Sequence, residues 1–312
     1  MLLGACGAKG NAGTSADSAA AAAEIPAVVA GFSADSAYRY VAEQVAFGPR
    51  VPNSEAHRRA GDWLASRLEA YGAEVVNQRV TLRAFDGTQL QSRNILGRYN
   101  PEASERLLLL AHWDCRPWAD QDADPARHSQ PVDGANDGAS GVGVLLEIAR
   151  QLSLQAPSKG VDILFLDAED WGDEGDEDSW ALGAREFVEN PPVANYAPSE
   201  GILLDMVGGE NARFRREYFS QRGAPALNNA IWSIAAELGY SDRFPDLPGG
   251  AITDDHVQFL QAGIPVVDII EFGDGGGFNS RWHTSADNME GISAETLGIV
   301  GSTVMTYLRR NY

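Results

Sequence analysis

The stretch Val161 to Trp171, Val-Asp-Ile-Leu-Phe-Leu-Asp-Ala-Glu-Asp-Trp, restricts the fold of this chain more than any other. Its first half is apolar, which predicts a strand of a parallel sheet buried on both faces. Its second half is a burst of carboxylates, Asp167, Glu169 and Asp170, closed by Trp171. In open α/β sheets, ligands bind where strands end at their carboxyl side. Adjacent acids at such an end can divide the work, one holding a cation and the other moving protons.

Strand and helix patterns alternate from residue 107 onward. Apolar strands are expected at 107–111, 161–166, 202–206 and 266–270, with helices between them and at 293–309. That order predicts an α/β fold, a three-layer sandwich whose mostly parallel, twisted central sheet is flanked by helices. Ahead of it come two helices opened by Ser33 and Ser54, then 74–85 and 90–99, which alternate around Asp86-Gly87 as an edge hairpin. The polar run 115–135 is too long for an ordinary connection. No Gly-x-Gly-x-x-Gly spacing and no Gly-x-Ser-x-Gly elbow is present, so a dinucleotide site or a serine nucleophile is not expected.

The chain has 312 residues, 24 basic and 44 acidic, for a formal charge of −20. Nucleic acid and anionic membrane surfaces are poor partners for it. The acidity serves solubility, with adaptation to high salt as a sharper alternative. The two cysteines, Cys6 and Cys115, sit in different contexts, which argues against a structural disulfide. Leu3-Gly4-Ala5-Cys6 has the form of a bacterial lipoprotein box, although the basic and apolar segments usual before such a box are missing, which points to a start further upstream. Residues 1–30 are therefore expected to be a lipoprotein box with Cys6 as the lipidation site and a flexible Ala/Gly/Ser-rich tether. Residues 31–312 form the single catalytic domain. Localisation in the periplasm or cell envelope follows, with membrane contact only through the anchor.

Acids and histidines recur at strand ends: His112 and Asp114, Asp137, Glu169 and Asp170, Asp205, and His283 after the last strand. A lone Asp there is usually a cap. Five such positions on one sheet edge are harder to explain that way. Catalytic zinc takes three protein ligands, at about 2.0–2.2 Å for nitrogen and oxygen donors, and keeps one position open. Asp137, Asp170 and His283 would supply the three, leaving Glu169 free as general base.

His112-Trp-Asp114, Asn136-Asp137-Gly-Ala-Ser-Gly, Asp167-Ala-Glu169-Asp170, Leu204-Asp205 and Trp282-His283-Thr together resemble the zinc aminopeptidase-like exopeptidases, over roughly Ser33 to Tyr312. Within that group the chain looks most like the glutaminyl-peptide cyclotransferases. Asp254-Asp255-His256, where peptidases tend to have Ser-Asp-His, favours that branch, as do Trp282 before the histidine and Trp171 after the acidic pair. The resemblance implies conversion of N-terminal Gln of peptides to pyroglutamate with release of ammonia. It implies one Zn²⁺ per chain on Asp137, Asp170 and His283, with Glu169 as acid/base and Asp205 and Asp254 as hydrogen-bonding carboxylates. Trp171, Trp282 and Phe278 would wall the substrate pocket. His112, Asp114 and His256 would support the site from behind. One departure is Asp170, where the family often has the longer Glu. The alternative is an aminopeptidase with two metals, in which His112 and Asp205 would take a second zinc. A monomer is expected. Trp113, Trp118 and Trp180 read as core residues, His57 and His128 as surface residues, and Cys115 as a buried thiol.

Overall fold

The computed structural model describes residues 1–4, 31–273 and 277–312. Cys6 and the proposed tether lie outside the described residues. Two helices come first, α1 (Ala34–Val45) and α2 (Glu55–Ala70), each opened by a serine whose hydroxyl accepts an amide of the first turn. The strands β1 (Glu74–Arg83) and β2 (Gln89–Tyr99) form the expected antiparallel hairpin. The alternating part follows: β3 (Arg106–His112), α3 (Ala139–Leu154), β4 (Gly160–Leu166), α4 (Leu182–Glu189), β5 (Glu200–Asp205), α5 (Tyr218–Gly223), α6 (Pro225–Glu237), α7 (Asp255–Gln261), β6 (Val266–Ile270) and α8 (Ala294–Asn311). Helix α5 had no signal in the sequence. It is short and capped by a glutamate, Glu217, which accepts the amides of Phe219 and Ser220.

The strands lie in the order β1-β2-β4-β3-β5-β6. β4, β3, β5 and β6 run parallel, and the hairpin joins antiparallel through β2 against β4. Side chains of the parallel strands sort by parity. Leu107, Leu109, Ala111, Val161, Ile163 and Phe165 enter the larger core under α1, α3 and α8. Leu108, Leu110, Leu164, Leu166 and Leu203 enter a smaller core with Phe187 of α4 and Phe259 of α7. Each fully buried Leu contributes roughly 1.5–3 kcal/mol, so this sorting fixes strand register firmly.

The connection after β3 covers one face through α3, and that after β4 covers the other through α4. Adjacent strands whose connections leave in opposite directions open a crevice at their carboxyl ends. His112 ends β3, and Asp167 to Asp170 follow β4.

One expectation fails here. His57 is not on the surface: it is 5% exposed, bonds both oxygens of Asp167 through Nε2 at 2.9 Å, and stacks on Trp113 at 4.3 Å. It stands in helical register with Ala60, Leu64 and Leu68, on the one buried face of α2. Cys115 is buried as expected, and burial pushes its thiol up. No helix among the described residues is long and apolar enough to cross a membrane.

Candidate active site

The acids of the strand ends are held in place by other acids through the backbone. Asp114 accepts the amides of Glu169 and Asp170, both at 3.2 Å. Asp287 accepts those of Asn136 at 2.7 Å and Asp137 at 3.1 Å. Each turn is thereby clamped before its side chains are committed to anything. Gly138 lets the second turn close. Its φ is +89°, and a Cβ there would stand 2.6 Å from the Asp114 carbonyl oxygen. Ser140 holds this same turn, accepting the Val207 amide and donating to the Asn136 carbonyl, a structural use of its hydroxyl.

Backbone strain gathers at the same edge. Asn and His enter the left-handed region more readily, whereas Ala and Met adopt it at a cost of about 1 kcal/mol or more. Ala168 (φ +55°), Ala181 (φ +55°), Met206 (φ +46°) and His283 (φ +53°) are all left-handed. They flank Glu169, Trp180 and Asp205 or, for His283, belong to the site directly. Tight reversal at these points aims successive side chains inward.

The result is one compact cluster. His283 Nε2 lies 3.1 Å from Asp170 Oδ1 and 3.5 Å from Asp137 Oδ2. His112 Nε2 lies 3.0 Å from Asp137 Oδ1 and 3.2 Å from Asp205 Oδ1. Asp137 is thus common to two triads, each with donor atoms within 4.8 Å of one another. The triads differ in one respect. In the first, both oxygens of Asp170 and the Nδ1 of His283 are buried without a hydrogen bond. In the second, the Nε2 of His112 is bonded to Asp205, and only the Nδ1 of His112 is bare, on the side away from that carboxylate. Buried polar atoms left bare are rare and costly. A divalent cation held by Asp137, Asp170 and the Nε2 of His283 would satisfy the Asp170 oxygens, and this donor set suits zinc. The shorter reach of Asp170 does not prevent it from meeting His283.

Electrostatics agree with a site short of positive charge. Burial pushes Asp170 up to about 6, with the Asp137 charge adding to it. Burial likewise raises Asp205 to about 7, helped by Asp137 and Asp254. Glu169 is held well above the usual carboxylate range, first by burial and then by the charges of Asp254 and Asp170, against the pull of His112. Asp137 goes the other way: burial is outweighed by the hydrogen bond and charge of His112 and the charge of His283. His112 stays protonated well above its ordinary range, since three carboxylates overcome the cost of burying it.

A cavity of about 460 Å³ opens over this cluster, with Glu169, Asp205 and Asp254 on it and Trp180, Phe278 and Trp282 among its walls. Trp282 stacks on His283 at 3.7 Å and packs against Phe278 at 4.5 Å. Asp114 and His256 lie behind, His256 bonded to Glu217 at 3.1 Å. Trp171 is a correction. It turns away from the cavity, packs against Trp118 and donates to Asp86 at 3.4 Å. The wall it was expected to form belongs to Trp180, which stacks parallel to His283 at 6.0 Å. Gly172 permits this, because a Cβ there would lie 2.0 Å from the Trp180 ring. Asp287 and Arg116 also serve the site without a local signal in the sequence. Neither stands at a strand end, and only the length of the 115–135 run hinted that it carried anything.

A family model described as peptidase family M28 matches residues 94–308. Among solved structures, the glutaminyl cyclase of Bacteroides thetaiotaomicron bound to N-acetylhistamine is similar with a TM-score of 0.88 and 50% identity, covering 90% of this chain and 99% of that one. The glutaminyl-peptide cyclotransferase of Bos taurus is 25% identical over 289 residues, or 83% of this chain and 77% of the relative. A probable zinc metalloprotease of Pyrenophora tritici-repentis is 26% identical over 294 residues, covering 78% of this chain. The match spans 58% of that fungal relative's length.

Proposed function

The chain belongs to peptidase family M28, and from that membership we propose that it is a zinc-dependent glutaminyl-peptide cyclotransferase. It converts the N-terminal Gln of peptides or proteins to pyroglutamate. The observation that carries this reading is the contrast between the two triads. Asp170 is bare at both oxygens beside the cavity, whereas Asp205 is already bonded by His112, which favours a single zinc on the first triad. The glutaminyl cyclases and cyclotransferases among its relatives support the same conclusion.

Asp137, Asp170 and His283 hold the zinc, which when bound polarises the side-chain amide of the substrate. Trp180, Phe278 and Trp282 line the cavity that takes that side chain and give it apolar walls. Asp205 and Asp254 face the same cavity and hold the α-amine through its N–H groups. Glu169 takes a proton from that amine as its nitrogen attacks the γ-carbon. The new C–N bond closes the five-membered lactam, the old C–N bond breaks, and Glu169 returns the proton to the departing ammonia. Both reacting groups belong to one molecule, so the pocket's main task is to hold them in attack geometry.

Mass spectrometry of two peptides incubated with zinc-loaded protein tests the reading. Loss of one ammonia from a Gln-peptide, with a Leu-peptide intact, is expected. Release of free N-terminal amino acid would instead identify a two-metal aminopeptidase using the second triad. Glu169→Gln should keep its zinc and lose turnover, and full activity in that variant would remove the base assignment.

The chain further works as a monomer in the bacterial cell envelope, tethered through lipidated Cys6. The support is the Leu3-Gly4-Ala5-Cys6 run and the small-residue stretch after it. Palmitate labelling that survives Cys6→Ser would sink the anchor.

A further inference from the structure

Arg116 is 2% exposed and uses its whole guanidinium. Its Nε and Nη2 donate to the two oxygens of Asp120, at 3.3 and 2.6 Å. Its Nη1 donates to the carbonyls of Asp170 and Gly172, at 3.1 and 2.8 Å. Its carbon stands over the rings of Trp180 at 4.7 Å and Trp118 at 5.2 Å. Apart from Trp118, these partners belong to the site. Asp170 and Gly172 belong to the turn that presents one metal ligand. Asp120 Oδ1 stands 3.6 Å from the buried and unbonded Nδ1 of His283, another ligand. Trp180 is a wall of the substrate cavity and stacks on the same histidine. The loop also grips His283 directly, since the Gln121 amide donates to the His283 carbonyl at 3.1 Å.

We propose that Arg116 is a positioning residue that couples metal retention to substrate binding, aligning His283 through Asp120 and the pocket wall through Trp180. This rests on the zinc and pocket assignments above. The chemistry favours arginine specifically. A planar fork can chelate a carboxylate, bond two carbonyls and lie against an indole at once, which a lysine ammonium does not do. A ligating histidine keeps its ring orientation through the partner of its second nitrogen, and losing such a partner costs about 10–100-fold in metal affinity or activity. Asp120 is the carboxylate in place for that, and Arg116 is what holds Asp120.

Three variants separate the two arms: Arg116→Lys, Asp120→Asn and Trp180→Leu. The readouts are the rate of zinc loss to a chromogenic chelator, and kcat and KM for a Gln-peptide under saturating zinc. Asp120→Asn is expected to speed zinc loss by about 10–100-fold, with a smaller effect on KM. Trp180→Leu is expected to raise KM with zinc loss near that of the wild type. Arg116→Lys should do both, and adding Asp120→Asn to it should speed zinc loss little further. An Arg116→Lys protein that melts like the wild type and shifts only one readout, or neither, overturns the coupling. If Arg116→Lys does not fold, Asp120→Asn decides: unchanged zinc loss in that variant overturns the proposal. Wild-type protein that retains zinc but leaves Gln-peptides untouched would count against the cyclase reading, while zinc loss would still test the Asp120 arm.

Discussion

Asp162, within the strand β4, and Asp170, just past its end, are both buried, yet their surroundings are opposite. Asp162, near its start, accepts from Arg106 at 2.7 and 2.8 Å and from the Tyr196 hydroxyl at 3.0 Å, with Arg98 at 3.8 Å. Asp170, beyond its end, accepts no hydrogen bond at either oxygen. Asp167, between them, is closed by His57 and by the amides of Arg93 and Ala168. Asp162 and Asp167 are saturated by the fold they serve. Asp170, left bare among other acids, is kept for something that arrives later.

The largest effect should come from the open end. Asp170→Asn should lower kcat by about 10²–10³-fold or more, comparable to removal of a main electrostatic stabiliser. Chelation of the wild type should lower its melting temperature, because the remaining acids then face one another uncompensated. A chelated protein that melts unchanged and still turns over would erase the distinction between the two ends of β4. At the closed end, Arg106→Met should cost about 3–5 kcal/mol of stability by stranding a buried charge, with turnover per folded molecule intact. Replacing both partners, Arg106→Met with Asp162→Leu, should recover most of that loss in urea unfolding. Failure to recover would mean that the pair does more than neutralise itself.

The smallest effect concerns Asp167, whose partner titrates. Burial works against a charged His57, but the charge and hydrogen bonding of Asp167 outweigh it, so its pKa is raised. With the folded value above the unfolded one, the stabilisation is complete below about pH 6.5. It fades as pH rises through the raised value. The stability deficit of His57→Gln should therefore be larger at pH 6 than at pH 9, measured by urea unfolding at both. An equal deficit at both would make His57 a packing residue only.

The same contrast explains what the sequence made legible. Apolar runs of 107–111 and 161–166 and the acids that end them follow one rule, that strand ends share an edge, and the structure brings Asp137, Asp170, His283, Glu169, Asp205 and Asp254 together there. Trp171 and Trp180 lie on either side of a turn-rich acidic loop, and nothing local says which ring comes back over His283. The answer depends on Gly172 leaving room and on Arg116 arriving from a loop remote in sequence. The inward position of His57 follows from its helical register with Ala60 and Leu64, whereas its partner, Asp167, is 110 residues away. Contacts of that kind carry no periodicity.

The left-handed backbone at Ala168, Ala181, Met206 and His283 bears on any attempt to make this protein more heat-resistant. Glycine accepts that conformation without steric cost, so a library screened for survival at high temperature would be drawn to these positions. At Ala168, Ala181 and Met206 the exchange would loosen the turn that aims Glu169, Trp180 or Asp205, and at His283 it would remove a metal ligand. Selection for endurance and selection for rate would thus compete for the same few torsion angles. Gains made at the helices and the hairpin would escape that conflict.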